Sequence, residues 1–271
     1  MTKTATLVLV LVTAPLFAQV GGVAYEKVLL PLTAAAPTPG RQDSRWLTSV
    51  TLVNHAAGPV SLLPYNPGFG CTCPLPPLPP NVTLTFDTPP FDPTSPGGYL
   101  YIDRANINAV EINIRVQDVS RQIETWGAAI PVVRESSFRA DTFSLLDVPL
   151  DPTVRHTLRI YTQDPTKPGR VRISIFATDP KNTRLLDAVR DRLLGTQTVD
   201  LAATEASGST NQFLTRPGYA ELNDLRAIGD ISGAQRLRID LLPLTTDQRI
   251  WAFLTVTNNI TQEIAVISPK S

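Results

Sequence analysis

Strict alternation of apolar and polar residues is the clearest pattern in this chain. In residues 110–116 every second position is apolar, with Val110, Ile112, Ile114 and Val116 on one side and polar residues between them. The same alternation recurs at 171–175 and 237–241. A period of two puts the two sets on opposite faces of a strand, so each segment predicts a strand with one buried and one wet face. The continuous apolar strands and long helical patterns typical of parallel α/β sheets are missing.

Extended along the chain, this pattern predicts two groups of short strands. The first lies near 46–53, 59–65, 82–86, 98–102, 109–117 and 122–130; the second lies near 154–162, 170–177, 197–202, 218–222, 235–242, 249–257 and 262–267. Each group has the strand number of one antiparallel β-sandwich. We therefore expect an all-β fold of two tandem sandwich domains, at 25–135 and 151–271, with 136–150 as the connection.

An internal echo favours two related units. Segments 49–63 and 156–176 both show a strand, a polar Pro/Gly turn and another strand, and they start about a hundred residues apart. Later in each unit a strand begins with Gly-Tyr, at Gly98 and Gly218, and another carries a tryptophan, Trp126 or Trp251. This order predicts that the two units repeat the same arrangement of strands.

One stretch of the second unit departs from the strand pattern. In residues 182–195 the apolar positions Leu185, Val189 and Leu193 are four apart, and Gly195 suits the position after a helix end. The stretch predicts one short helical insertion between two strands, covering an end or edge of a sheet.

The N-terminus has the features of a signal peptide. Lys3 precedes a continuous apolar run at 5–17, which is shorter than the ~20 residues of a membrane-spanning helix. Small residues follow, with cleavage expected after Ala18 or after Ala24. We predict a signal peptide within residues 1–24 and a secreted, periplasmic or cell-surface protein.

Three longer segments carry a family resemblance. RWLTSVTLVNHAAGPVSLL (45–63), EINIRVQDVSRQIETWGAAIPVV (111–133) and RIWAFLTVTNNITQEIAVISP (249–269) resemble segments of uncharacterised exported bacterial proteins built from tandem Ig-like β-sandwich domains. The resemblance implies an Ig-like fold and an extracellular setting. It transfers no catalytic residues, because none are established for that group.

Composition restricts the classes of partner. The 24 Lys and Arg balance the 24 Asp and Glu, so the chain lacks the positive field expected for nucleic acid or anionic membrane surfaces. Twenty-five prolines and fifteen glycines indicate short segments joined by rigid turns. We expect an extracellular ligand, protein or polysaccharide, with no nucleic acid and no membrane insertion after signal cleavage.

Candidate catalytic residues are few. The chain has two histidines: His55 is expected in a turn, and His156 shares parity with Leu158 and Ile160 and is expected at the end of a buried strand face. No histidine cluster, GxSxG, SxxK, P-loop or GxGxxG motif is present. We therefore predict a non-catalytic protein without cofactor or metal. A hydrolase with a carboxylate pair or Ser/His site at the domain interface remains the alternative.

The two cysteines form a Cys-x-Cys pair. Cys71 and Cys73 in an exported chain favour a local disulfide, closing a small and somewhat strained ring. A thiol- or copper-handling dithiolate and two free thiols are the alternatives.

A proline-rich segment follows the cysteines and is a candidate interaction loop. Polyproline II geometry has three residues per turn, so Leu75 and Leu78 fall on one edge. That edge either packs against the sandwich or presents a PxxP ligand to a partner. The segment comprises Pro74, Leu75, Pro76, Pro77, Leu78, Pro79 and Pro80.

The expected function is therefore a non-catalytic extracellular or cell-envelope β-sandwich protein in adhesion, structural or ligand-binding roles. A carbohydrate-binding module is the nearest variant, and Tyr65, Tyr99 and Trp126 are candidate stacking platforms. Core packing is the alternative for each of these aromatic residues.

Overall fold

The computed structural model describes residues 19–20, 23–32, 37–64, 76–86, 97–120, 127–178, 190–204 and 216–269. The first half of the chain contributes β1 Gln19–Val20, β2 Val23–Pro31, β3 Thr38–Pro39, β4 Arg45–Asn54, β5 Leu62–Pro64, β6 Thr83–Phe86, β7 Gly97–Asp103, β8 Val110–Asp118, β9 Ala128–Ile130 and β10 Val133–Arg134. The second half contributes β11 Phe143–Pro149, β12 Val154–Thr162, β13 Gly169–Thr178, β14 Arg192–Leu201, β15 Gly218–Leu222, β16 Arg236–Pro243, β17 Ile250–Asn258 and β18 Ile264–Ile267.

Helical structure in these ranges is limited to single 3₁₀ turns at Arg41–Asp43, Ile107–Ala109, Glu135–Ser137 and Leu225–Ala227. No helix of the described residues reaches seven residues, and none has the length and apolar character to cross a membrane. The predicted all-β class is confirmed.

The strands form four antiparallel sheets, none of them closed. In the first half one sheet has the order β1-β2-β7-β5, with β10 also on β2, and the other has the order β3-β4-β8-β9, with β6 also on β4. In the second half the orders are β11-β16-β13-β14 and β15-β12-β17-β18.

The two halves share one pairing scheme. β4 lies between β6 and β8 as β12 lies between β15 and β17. β7 lies between β2 and β5 as β16 lies between β11 and β13. β9 follows β8 as β18 follows β17. In the described ranges only β14 has no counterpart in the first half.

The pairing scheme confirms the first part of the predicted internal repeat and corrects its Gly-Tyr part; the Trp126–Trp251 correspondence stays a prediction, because Trp126 lies outside the described residues. Segments 49–63 and 156–176 cover the equivalent pairs β4–β5 and β12–β13. Gly98 lies in β7, the counterpart of β16, whereas Gly218 begins β15, the counterpart of β6. Glycine is required at position 218 for a local steric reason, because a Cβ there would lie 2.4 Å from Cγ2 of Thr162. The Gly-Tyr dipeptide therefore does not indicate which strand of the sheet it begins.

Each half encloses a core between its two sheets. In the second half the buried side chains come from both sheets, so the sheets face each other, with Leu145, Val171, Ile173, Ile175, Leu237, Ile239 and Leu241 opposite Leu158, Ile160, Ala252 and Leu254. The first half is built in the same way from Val28, Leu30, Leu62, Leu100 and Ile102 opposite Val50, Leu52, Ile114 and Val116. Burying each large aliphatic side chain contributes about 1.5–3 kcal/mol.

Burial alternates along some strands and is continuous along others. β8, β13 and β16 alternate as the sequence pattern predicts. In β7 and β17 every residue except the last is buried. Their second faces carry aromatic residues such as Tyr99 and Phe253, which belong to a single buried cluster where the two halves meet.

The helical insertion predicted at 182–195 is wrong for its last residues, 192–195. Residues 192–195 lie in β14 and pair with β13, Leu193 opposite Phe176 and Gly195 opposite Ile175; residues 182–189 lie outside the described ranges. Gly195 has no left-handed φ. A Cβ there would lie 2.2 Å from the carbonyl oxygen of Ile228, so glycine permits close backbone contact rather than ending a helix.

Phe143–Pro149, within the segment predicted as the connection at 136–150, is the strand β11, paired with β16. Its alternation is broken by a register shift between Leu145 and Val148, where Asp147 has a φ of 61°. A bulge of this kind adds a residue to one strand. The period-two pattern is lost there although the strand is intact.

Candidate functional site

A cavity of about 950 Å³ lies where the two halves meet. The first half supplies Arg41 and Gln42; the second half supplies the start of β12 and the loop after β15. We call it the junction cleft and define it by Arg41, Gln42, Asp151, Arg155, His156, Asn223, Asp224, Arg226, Asp230 and Asn259. Its volume is at the upper end of the roughly 300–1,000 Å³ of small-molecule sites.

Three aspartates on the cleft wall each hold a turn. Oδ1 of Asp151 accepts a hydrogen bond from the backbone N–H of Thr153 at 2.7 Å, and Oδ1 of Asp224 accepts one from Arg226 at 2.9 Å. Asp230 does the same with Ser232 at 2.9 Å. Hydrogen bonds from the side chain and backbone of the residue two positions later lower the pKa of Asp151 and of Asp230. Asp151 and Asp230 are therefore ionised at neutral pH, and Oδ2 of each of the three aspartates accepts no hydrogen bond from the described residues.

The cleft arginines have different surroundings. Arg155 donates to Oδ1 of Asn259 at 3.0 Å and to Oε1 of Gln262 at 2.6 Å. Arg41 and Arg226 are exposed. Among the ion pairs of the described chain, neither guanidinium has a carboxylate within 4.0 Å. The site thus offers two guanidinium groups, one from each half of the protein, that form no ion pair with the described residues.

A hydrogen-bonded bridge ties the two walls together. Nε2 of Gln262 donates to Oε1 of Gln42 at 2.9 Å, and Oε1 of Gln262 accepts from Arg155. Gln262 is fully buried, and both glutamines have left-handed backbones, with φ of 62° and 58°. Non-glycine residues adopt this conformation at a cost of about 1–3 kcal/mol each, so surrounding contacts must hold it.

Both histidines take structural positions. His156 is buried in β12, and its Nε2 is 2.8 Å from the carbonyl oxygen of Pro149. Because a carbonyl only accepts, Nε2 carries the proton and Nδ1 is an acceptor in the neutral ring. Burial lowers the pKa of His156. His55 is exposed directly after β4, 3.4 Å from Oε2 of Glu111. Both placements confirm the sequence expectation.

The two halves also meet through a buried aromatic face, which we call the aromatic junction and define by Tyr99, Tyr161, Trp251 and Phe253. The rings of Tyr161 and Phe253 are stacked with centroids 6.3 Å apart, and those of Trp251 and Phe253 are 5.4 Å apart. Ring contacts of this kind add about 0.5–1.5 kcal/mol to burial.

A lysine is enclosed at the same place. Lys27 lies 4.6 Å from the centroid of the Tyr99 ring, and its ammonium group donates to the carbonyl oxygen of Gln163. Burial lowers the pKa of Lys27, while the charges of Glu135 and Asp164 oppose that shift. The first and second halves are therefore joined by polar contacts as well as by aromatic packing.

The proline-rich segment is described from Pro76 onward, and Cys71, Cys73, Pro74 and Leu75 lie outside the described residues. Leu78 is 2 % exposed and exchanges two backbone hydrogen bonds with Val60, of 3.0 and 2.8 Å. Nδ2 of Asn54 donates to the Leu78 carbonyl at 2.7 Å. Pro76, Pro77 and Pro79 are exposed. The leucine edge packs against the fold at Leu78, as one of the two hypotheses states.

The aromatic platforms are not assembled into a surface site by the described residues. Tyr99 is fully buried and belongs to the core, which favours the packing alternative; Tyr65 and Trp126 lie outside the described ranges. Sequence reasoning missed Arg41 and Arg226, because nothing in a linear pattern shows that residues so far apart share one cleft. The polar residues Asn223, Asp224, Arg226 and Asp230, which follow the predicted strand at 218–222, are the signal that the sequence offers.

Comparison with known proteins gives no match. No protein family, no curated protein and no solved structure is significantly similar to this chain.

Proposed function

We propose that this chain is an exported, non-catalytic protein of two tandem Ig-like β-sandwich domains that binds an extracellular ligand in the junction cleft. The observation that carries the proposal is the fixed geometry of the cleft. Its walls come from both halves, and the Gln42–Gln262 hydrogen bond and the aromatic junction hold those halves together. A preorganised site loses less conformational entropy on binding than a mobile one.

The pairing scheme supports an Ig-like assignment with exchanged edges. The pairings β12–β15 and β13–β16 correspond to the B–E and C–F pairings of immunoglobulin sandwiches. The first strand, β11, lies beside β16, at the edge where the last strand of an immunoglobulin domain lies. β17 takes the place of the first strand beside β12. The first half carries the same exchange, which supports two related domains.

The hydrogen bonds of the cleft residues favour binding over catalysis. Within the described residues the imidazole of His156 bonds to the Pro149 carbonyl and to no hydroxyl nucleophile. Asp151, Asp224 and Asp230 each hold a backbone turn. The alternative, an exported hydrolase, would have to use these same groups, so one set of variants tests both functions.

Export is part of the proposal, and the start of the fold favours cleavage after Ala18. Ala24 lies within β2, paired with Gln19, and its carbonyl accepts from the backbone N–H of Arg104 at 2.8 Å. Cleavage after Ala24 would remove β1 and the first residues of β2. In a secreting bacterial host, the mature protein should begin at Gln19 by intact mass; a mature chain beginning at Tyr25 would contradict this.

The functional test uses the mature full-length chain. We expect saturable binding in a polysaccharide pulldown, weakened by Arg226→Ala and unchanged by Arg172→Ala, an exposed arginine of β13 outside the cleft. A panel of glycoside, ester and peptide substrates should show no turnover. Hydrolysis that is abolished by Asp224→Asn in a folded variant would overturn the binding function in favour of the hydrolase.

The cysteines are tested separately. Mass spectrometry of the exported protein before and after reduction should show a gain of two hydrogen atoms for a Cys71–Cys73 disulfide, because the reductant supplies two electrons and the solvent two protons. Two thiols that alkylate without reductant would exclude that bond, and copper bound in a stoichiometric ratio would support the thiol or copper alternative.

A further inference from the structure

We propose that the junction cleft recognises an acidic saccharide, with Arg41 and Arg226 binding its carboxylate groups and the cleft aspartates binding its hydroxyl groups. This inference rests on the proposed ligand-binding function and specifies the class of ligand.

Two arginines of the cleft carry positive charge that no ion pair of the described residues engages. Arg41 and Arg226 are exposed on the cleft wall and, within the described chain, have no carboxylate partner. A guanidinium group presents a planar pair of donors that matches a carboxylate. Since one arginine comes from each half, a ligand bound to both must lie across the junction.

Three carboxylates line the same cleft and offer hydrogen-bond acceptors. Asp151, Asp224 and Asp230 are each bonded through Oδ1 to a backbone N–H, and Oδ2 accepts no hydrogen bond from the described residues. Free carboxylate oxygens accept hydrogen bonds from hydroxyl groups. A purely anionic ligand would meet three negative charges here, whereas a sugar acid brings hydroxyl donors to the aspartates and a carboxylate to the arginines.

The size and lining of the cleft restrict the class of ligand that fits it. Its volume, about 950 Å³, accommodates a short oligomer rather than a single small ion. No Phe, Tyr or Trp is among its described lining residues, so we expect recognition to depend on hydrogen bonds and charge rather than on stacking against such rings. Interactions between solvent-exposed charges are screened by salt. Binding should therefore weaken as ionic strength rises.

The experiment measures binding of tri-galacturonate to the mature full-length protein by isothermal titration calorimetry at low and high salt. The comparison ligands are a neutral galactose trimer and a tri-glutamate peptide. We expect tri-galacturonate to bind most tightly, with an affinity that falls about tenfold in Arg41→Ala and in Arg226→Ala, or about 1.4 kcal/mol. Arg226→Lys should retain part of the affinity, and Arg172→Ala all of it.

The outcomes separate the two proposals. Equal binding of the neutral trimer, tighter binding of tri-glutamate, or unchanged affinity in both arginine variants would overturn the acidic-saccharide inference. If cleft variants still weaken neutral-sugar binding, the ligand-binding function stands without the acidic class. Hydrolysis of tri-galacturonate would overturn the non-catalytic function, while the arginine variants would still decide recognition. Unfolding curves must show that each variant is folded.

Discussion

The hydroxyl group of Tyr99 in β7 donates a hydrogen bond of 2.7 Å to the carbonyl oxygen of Thr162 in β12, so a strand of each half is joined at one buried point. Tyr99 is fully buried, and burial raises its pKa well above the usual value of 10.0. The phenol therefore stays protonated at physiological pH, and the hydrogen bond persists.

Removing the Tyr99 hydroxyl group measures what this one hydrogen bond contributes to stability. Tyr99→Phe should lower the free energy of unfolding by about 1–3 kcal/mol, because it leaves a buried acceptor without its donor. Urea denaturation measures the change. The control is Tyr219→Phe, since the Tyr219 hydroxyl has no hydrogen bond within the described residues. Equal effects of both substitutions would show that the Thr162 contact contributes nothing specific.

Truncating the aromatic junction should separate the two halves. Trp251 is 5 % exposed and packs against Phe253 and Tyr161. Trp251→Ala should cost about 3–5 kcal/mol of stability. If the halves part, small-angle X-ray scattering should give a larger radius of gyration for the folded variant. The control is Leu193→Ala, at a residue 54 % exposed, which should change neither the stability nor the radius of gyration. If Trp251→Ala also leaves both quantities unchanged, the aromatic junction does not hold the two halves together.

The proline-rich segment should be anchored through one residue. Leu78→Ala should lower the free energy of unfolding by about 2–5 kcal/mol, because it empties a buried position between the segment and Val60. Pro77→Ala changes an exposed residue and should stay within about 0.5 kcal/mol of the parent. Thermal and urea unfolding compare the two variants. A neutral Leu78→Ala would instead favour a segment held free for a partner.

His156 should make the fold sensitive to mild acid. Its pKa in the folded protein is lowered below the unfolded value of 6.5, mainly by burial. As pH falls below 6.5 the unfolded chain takes up a proton that the folded protein does not. The free energy of unfolding therefore falls, by at most about 1.4 kcal/mol per pH unit, until the folded pKa is reached.

Urea unfolding at pH 7.5 and 5.5 tests this dependence. The loss of stability between the two pH values should be smaller in His156→Gln than in the parent protein. His55→Gln removes the exposed imidazole and is the control for losing a histidine. A His156→Gln protein that keeps the parent's full pH dependence would assign that dependence to other groups.

Local patterns were sufficient for much of the fold. Alternation in β8, β13 and β16 located these strands correctly, because a period of two in a half-buried strand depends only on neighbouring residues. The turn before β13 is also local: the carboxylate of Asp164 accepts hydrogen bonds from the backbone and side chain of Thr166. Asp before Pro, with a Gly a few residues later, favours a turn through contacts among these neighbouring residues alone.

Contacts between distant residues decided the rest. β7 and β17 are buried on both faces because the two halves cover them, and a bulge at Asp147 removes the alternation of β11. Gly195 serves the approach of a backbone far along the chain. The candidate site also depends on contacts between distant residues, since Arg41 and Arg226 line one cleft from different halves of the protein.

The sequence by itself determined an all-β chain, most of its strands and the structural placement of His55 and His156, since these follow from alternation and turn chemistry. Only the tertiary structure decided that Arg41 and Arg226 line one cleft and that Tyr99 and Trp251 form one junction. The physical reason is that a strand records which of its faces is apolar, whereas the surface that covers that face lies elsewhere in the chain.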